Sequence, residues 1–511
     1  MEHPSIVEIK RIEYLDKFTF NNTTKAEIEK IIKDLNTTKS QTTTDIPVKI
    51  IKEYSDIFSD FLSTAINESF ETLSFPDLLK LADITPVYKR KGSKNEKGNF
   101  RPVSILPVLS KIYERVIHDQ ITDYFNDILS KRQFGYRKGM STQTPLLVMT
   151  EIWKKATDDK KKFAALLIDL SKAFDCISHD LLIAKLEAYG FEKEALGLIA
   201  SYLTNRKQRT KIGNDFSTWH DINDGVPQGS ILGPLLFNIY MRDMFYFLGE
   251  ENVLNYADDT TPFASGESWE QVGDVLAQKA AIIFEWLKNN QMEGNAEKSE
   301  LIANNTSKEI FITIQNEKIF NGNSGKILGI VFDNSLTFET HINIICKKAS
   351  QKISALARVA SYMSIEKRRN LMNAFFRSQF NYCSLVWMFH VRKLEKKINY
   401  LHERCLRIVY SDFTSTFEEL LIRDGAIKHH HKNIQKLSIE LFKCKNNMSD
   451  LTNEIFVHDN NIKKTRRTPY FRSREINSVF NGEESLSFLG PKIWEQVPDK
   501  IRELVDISTF K

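Results

Sequence analysis

Two adjacent carboxylates interrupt an apolar stretch in NVLNYADDTTPFAS, at Asp258 and Asp259. The flanking segments read as two β-strands around a two-residue Asp-Asp turn. Tight hairpin turns favour Asn-Gly or Asp-Gly, and neighbouring carboxylates repel, so the pair is unfavourable without water or a cation to screen it. Read alone, the string also fits a solvated surface turn, which Asp tolerates. A third acid adds to it. Asp169 closes the apolar run FAALLID, residues 163–169. A carboxylate at the end of a buried strand is unfavourable unless it is paired or binds a cation. If that strand lies beside the hairpin, three carboxylates converge. That is the hard-oxygen environment Mg²⁺ prefers, with phosphate and water oxygens completing the shell. Two such ions about 3.5–4 Å apart support in-line displacement at phosphorus.

Strands and helices must position these acids. Apolar residues at helical spacing, such as Ile28, Ile31, Ile32 and Leu35, predict amphipathic helices over 24–37 and 47–73. LADITPVY, residues 81–88, reads as a strand leading into a Gly- and Lys-rich loop. Val108, Leu109, Ile112 and Val116 predict a helix over 108–129. Ser178 is an N-cap candidate for the helix that follows Asp169. From about 340 to 450 the pattern is helical and basic. The last sixty or so residues mix charge with short aromatic segments (Phe471, Phe480, Phe488, Trp494) and suggest a small terminal subdomain. Alternating strands and helices followed by a helical block predict an α+β catalytic body with a helical module behind it.

The 511 residues, 41% of them hydrophobic, suffice for a large core. No apolar run reaches the roughly eighteen residues of a membrane span, and the N-terminus lacks the apolar region of a secretory signal. The five cysteines are scattered, with no CxxC pair, and His429–His431 has no partners at zinc spacing. No zinc site and no disulfide framework is expected. Net charge is +5, unevenly placed: residues 346–410 hold 14 Lys/Arg against 3 Asp/Glu, and residues 86–101 hold 6 against 1. Folded together, two basic blocks would offer phosphates one surface; apart, they are solvated helix and loop faces.

Seven segments in order give these features a family context. They are NFRPVSILPVLSKIYERVI (99–117), QFGYRKGMSTQTPLL (133–147), LIDLSKAFD (167–175), GVPQGSILGPLLFNIYMRDM (225–244), NYADDT (255–260), NAEKSELI around Lys298, and ILGIVFDNSLTF (327–338). The set resembles the reverse transcriptases of non-LTR (LINE-type, jockey-like) retrotransposons across roughly residues 80–340. The resemblance implies a right-hand polymerase: an N-terminal helical extension (1–75), fingers and an antiparallel-sheet palm (76–340), a basic helical thumb-like region (341–450), and a C-terminal region of unknown role (451–511).

It also implies roles. Asp169, Asp258 and Asp259, with the backbone carbonyl of Leu170, would hold two Mg²⁺ ions, or Mn²⁺. Phe174 would be a steric gate crowding a ribose 2′-hydroxyl; by itself it is an ordinary core Phe. Gln228 and Gly229 would lie against the incoming nucleotide and template, the Gly permitting close backbone approach. Arg101 would contact the triphosphate, with Lys89 and Lys91 as second contacts or as a solvated loop. Lys298 would assist proton transfer to pyrophosphate, or be a surface lysine. Lys347, Lys348, Lys352, Arg358, Arg368 and Arg369 would contact the primer–template backbone. The partners implied are an RNA template, a DNA primer or nicked target DNA, and dNTPs, acting in the nucleus and cytoplasm. Endonuclease activity would come from a missing N-terminal domain or another protein. An idle relic that only binds RNA, and an RNA-templated RNA polymerase, are the competing readings.

Overall fold

The computed structural model describes residues 2–510, apart from 13, 15, 38–41, 43–44, 172, 307–308, 390–391, 449–451, 458–469 and 478–481. Phe480 therefore lies outside the described residues. In chain order the strands are β1 (Leu81–Tyr88), β2 (Phe100–Ile105), β3 (Lys162–Ser171), β4 (Arg206–Ile212), β5 (Asp215–Phe216), β6 (His220–Ile222), β7 (Val253–Tyr256), β8 (Asp259–Gly266), β9 (Glu293–Ala303), β10 (Phe311–Ile314), β11 (Glu317–Gly322), β12 (Ser324–Ile327) and β13 (Ile330–Asp333). They form a large sheet in the order β10-β11-β9-β3-β8-β7, a smaller sheet in the order β2-β1-β4-β5 with β6 also on β4, and the β12–β13 hairpin.

The alternation of β3 explains how the molecule is layered. Successive side chains of a strand point to opposite faces. Ala164, Leu166, Ile168 and Leu170 enter one core; Phe163 and Ala165 enter a second on the other face. The first core is filled by the N-terminal helices, the Val108–Phe125 helix, and the helices from His179 to Asn289. The second holds the Gln143–Asp158 helix, the β12–β13 hairpin and the helical C-terminal third. A strand buried on both faces reads as a continuous apolar run, which is what FAALLI is.

Local signals place most elements where the pattern predicts. Thr24 and Glu27 form a capping box on the Lys25–Asp34 helix, and Ser178 Oγ accepts from Leu181 N at the start of the His179–Ala188 helix. The single helix expected over 47–73 is instead two, Val48–Glu53 and Ser55–Thr72, because Tyr54 leaves helical geometry (φ −106°, ψ 35°).

The C-terminal residues do not stand apart as a subdomain. Phe471, Leu486 and Trp494 enter the second core. Buried Glu151, on the Gln143–Asp158 helix, accepts from Leu486 N (2.7 Å), Ser487 N (3.1 Å) and Ser487 Oγ (3.0 Å), capping the Leu486–Gln496 helix. Asp158 accepts from Arg474 Nη2 at 2.9 Å and from Asn477 N at 3.1 Å. Among the described residues, no helix is long and apolar enough to cross a membrane.

Candidate active site

β3 and β8 run antiparallel, with Ala165 opposite Phe263 and Ile168 opposite Thr260. Continuing that register by one residue sets Asp169 opposite Asp259. Asp169 belongs to the odd-numbered face of β3, where the strand runs past the edge of the second core. Its strand is buried as expected, but its side chain is open to solvent. Asp258 follows in the hairpin turn.

The turn lies one residue earlier than the pattern predicts. Tyr256 pairs with Asp259, so the turn residues are Ala257 and Asp258, and Asp259 begins β8. Ala257 takes the left-handed region at φ 57°, a strained choice for a residue with a Cβ. Neighbours hold it there. The side-chain amide of Asn255, 1% exposed, donates to Ala257 O and Thr260 Oγ1, both at 3.0 Å. The 132–135 segment lies alongside: Phe134 N donates to Asn255 O at 2.9 Å, and Asn255 N donates to Arg132 O at 3.1 Å. At Gly135 an added Cβ would fall 2.4 Å from Ala257 N, so only glycine fits.

Like charges crowd this turn. Asp259 is pushed up to about 6 by partial desolvation in the cleft and then by Asp258 and Asp169. Asp258 is also raised, by desolvation first and by Asp169, with Arg101 pulling the other way. Arg101, on β2, is thus near enough to Asp258 to act on its charge. Among the described residues, no three His, Cys, Asp or Glu side chains are already gathered at metal-ligand spacing. Three mutually repelling carboxylates that a divalent cation would neutralise nonetheless fit such an ion chemically.

Phe174 lies in the short helical turn Ala173–Cys176 beyond β3. Its ring stacks on Phe237 (centroids 4.7 Å, 14° between planes) and meets Tyr136 edge-on at 5.8 Å. Tyr136 is held up by partial burial and by Asp258, which places it beside the acids. Gln228 Nε2 donates to Asp175 Oδ1 at 3.0 Å. The close approach at Gly229 (φ 138°) is to β2: an added Cβ would meet Ser104 O at 2.4 Å. Ser104 N donates to Gln228 O at 2.8 Å, tying this loop to the smaller sheet. Fully buried Glu114 accepts from Ile231 N (2.6 Å) and Leu232 N (3.1 Å), at the start of the Leu232–Arg242 helix. Burial raises its pKa despite Arg206 nearby.

The remaining cations separate. Lys89 Nζ donates to Gly98 O at 2.9 Å, and Lys91 is exposed on the same loop. Lys298 is exposed in an irregular stretch of β9, where the pairing with β3 slips between Leu167 and Asp169. Lys347, Lys348 and Arg358 are exposed on the Glu339–Val359 helix, and Lys352 Nζ lies 5.6 Å from the Phe375 ring centroid. Arg368 and Arg369 are instead engaged within the fold. Arg368 donates to Met363 O, to Ile408 O and Val409 O at the end of the Arg392–Tyr410 helix, and to Ser411 Oγ. Arg369 pairs with buried Asp424 at 3.0 Å. Their charge was legible in sequence; their partners on the Arg392–Tyr410 helix, at Ser411 and at Asp424, forty and more residues away, were not.

Asn255, Gly135, Tyr136 and Glu114 went unassigned from sequence. All four lie inside the quoted motifs, but residue identity alone does not reveal a partner. A cavity lined by Tyr256, Asp259, Lys326 and Leu328 separates the turn from β12–β13. Tyr382 Oη donates to Leu328 O at 2.6 Å.

Residues 89–332 match the family model described as reverse transcriptase (RNA-dependent DNA polymerase). The chain is similar to the probable RNA-directed DNA polymerase from transposon BS of Drosophila melanogaster, 27% identical over 365 residues, covering 68% of this chain and 40% of that protein. It is also similar to the RNA-directed DNA polymerase from mobile element jockey of the same species, 27% identical over 342 residues, covering 65% and 37%. The probable enzyme from transposon X-element matches at 26% over 360 residues, covering 68% and 40%. The chain thus spans about 40% of the length of these relatives.

Proposed function

We propose that the protein is an RNA-directed DNA polymerase of a non-LTR retrotransposon, extending a primer 3′-hydroxyl with dNTPs on an RNA template. The observation that supports this is the placement of Asp169, Asp258 and Asp259 at two adjoining strand ends, where partial desolvation first and then their like charges raise Asp258 and Asp259 above their ordinary values. With the Leu170 carbonyl, these acids would hold two Mg²⁺ ions, or Mn²⁺, whose chemistry is to make a 3′-hydroxyl nucleophilic and to offset charge on departing pyrophosphate.

The chain's own groups do the rest. Arg101, near Asp258, suits bidentate contact with triphosphate oxygens, with Lys89 and Lys91 on the adjoining loop. Phe174, braced by Phe237 and Tyr136, presents a rigid ring where a ribose 2′-hydroxyl would lie. Gln228 and Gly229 hold the floor beneath the nascent base pair, and Lys298 stands at the irregular edge of β9. In this reading the large sheet is the palm, the smaller sheet the fingers, and residues 341–450 the thumb. There Lys347, Lys348, Lys352 and Arg358 face nucleic-acid phosphates; Arg368 and Arg369 brace the helices. Residues 1–75 are a helical extension and 451–511 a brace. Nicking of a DNA target falls to a separate endonuclease domain or protein, and action in the nucleus and cytoplasm follows from the same reading.

Primer extension tests it. Wild type should extend a DNA primer on an RNA template with dNTPs and Mg²⁺, and Asp258→Ala should reduce the rate by three orders of magnitude or so. Full extension by the variant overturns the assignment, and no extension by wild type favours an idle RNA-binding relic.

A further inference from the structure

The segment between the Lys193–Leu203 helix and Gly225 is absorbed by none of the roles above. Its strands nevertheless belong to the sheet that carries Arg101. β1 pairs with β2 so that Val87 lies opposite Arg101, and with β4 so that Asp83 lies opposite Arg209. Cross-strand partners share a face and residues two apart share a face, so Arg101, Val87, Asp83, Lys207, Arg209 and Lys211 rise from one side. On the other side Ala82, Ile84, Ser104 and Arg206 are buried, with Ile212 exposed at the end of β4. The first side buries Asp83 and is open around it, with Val87 46% exposed and Arg101 and Lys207 exposed.

Aromatic rings extend this face. Phe216 lies opposite Lys211 on β5. Asp83 accepts from Arg209 Nε at 2.7 Å and so holds the guanidinium between two rings, 4.0 Å from the Phe216 centroid and 4.6 Å from that of Trp219. Packing of Arg209 would by itself stabilise the hairpin. It leaves both rings partly bare, Phe216 at 38% and Trp219 at 40% exposure. The ion pair of Lys207 with Asp221, 3.5 Å long and exposed, is readily exchanged for another anion. Residues 206–222 carry four Lys/Arg against two Asp. The segment then runs into Gly225, where an added Cβ would meet Asp175 Cα and Phe174 O at 2.8 Å. The platform is therefore fixed to the gate residue.

Resting on the polymerase reading, we propose that this face seats the unpaired RNA template ahead of the site. Trp219 and Phe216 stack its bases, and Lys207, Arg209 and Lys211 line its phosphates. Cationic side chains interleaved with half-exposed rings suit a single strand, whose base faces are open, better than a duplex or an apolar protein surface.

Fluorescence anisotropy of the full chain on DNA-primed RNA templates tests this, using a 5′ RNA overhang of either one base or about 12 nucleotides. Wild type binds the long overhang more tightly. The double variant Phe216→Ala, Trp219→Ala loses that gain by about tenfold, while Phe216→Tyr with Trp219→Phe retains it. Lys207→Ala with Lys211→Ala lowers the salt dependence of long-overhang binding by about 1–2 in the log–log slope. Addition of a single nucleotide on the short overhang stays at the wild-type rate in each variant. A full overhang gain in the double alanine variant overturns the proposal, as does a wild type with no gain, which would turn this face over to a protein partner. A wild type that binds the overhang yet adds no nucleotide refutes the polymerase reading instead.

Discussion

Asp259 carries a charge that is unfavourable in the fold and that the proposed metal site would use. Its pKa rises from 3.8 to about 6, so the folded chain binds its proton more tightly than the unfolded chain does. The contribution of this group to stability therefore falls as pH rises through that window. Asp259→Asn removes the repulsion. Without metal near neutral pH it should raise stability by about 1 kcal/mol after allowance for solvent screening. Added Mg²⁺ should stabilise wild type and leave the variant nearly unmoved in the same thermal melts. Phe174 makes a second claim at this scale. Phe174→Ala should lower dNTP-over-rNTP discrimination by roughly tenfold or more in kcat/KM, as expected when a steric contact is lost. An unchanged ratio would return Phe174 to the core, where it also packs against Phe237.

Among the elements, the hairpin turn depends on a neighbour distant in sequence. Gly135 lets the 132–135 segment lie flat against Ala257, and Asn255 ties the turn from inside. Gly135→Ala drives a Cβ into backbone rather than into a flexible side chain. We expect kcat to fall about a hundredfold, with stability lowered by only about 1–3 kcal/mol, because the strain is confined to the turn. Circular dichroism and primer extension on one preparation would separate the two effects. Much of this level was legible from sequence: FAALLID as a buried strand, 81–88 as a strand, Ser178 as a cap. The turn was misplaced by one residue because alternation around Ala-Asp-Asp fits either frame, and pairing of Tyr256 with Asp259 decides it.

At the scale of the whole molecule, one sheet is sandwiched between two cores, and the helical C-terminal third supplies much of the second. Among the described residues, three buried histidines lie in that third. Burial pushes His341 and His402 down to about 4 and His429 well below its ordinary value. His402 and His429 face each other, ring centroids 4.9 Å apart, with Phe376 against both. They fold neutral, whereas the unfolded chain takes up protons near pH 6.5. Stability is therefore full above about pH 6.5 and is lost as pH falls toward 4, on the order of 2 kcal/mol per histidine by about pH 5. Thermal melts should show this loss, and His402→Phe should flatten it. A midpoint independent of pH between 7 and 5 would contradict the burial.

The sequence by itself determined the chemistry on offer: which acids, in what order among seven motifs, on strands whose alternation could be read residue by residue. Those are local properties, carried by side-chain type and spacing. Tertiary structure decided what meets what. It set Ile168 opposite Thr260 in the β3–β8 register, so that the strand ends bearing Asp169 and Asp259 adjoin, and committed Arg368 to helix-end carbonyls and Arg369 to Asp424. It also closed Leu486 onto Glu151 and Arg474 onto Asp158. These pairings join residues tens to hundreds of positions apart. No local pattern records them, because a buried charge is compensated by whichever partner the folded chain brings within reach.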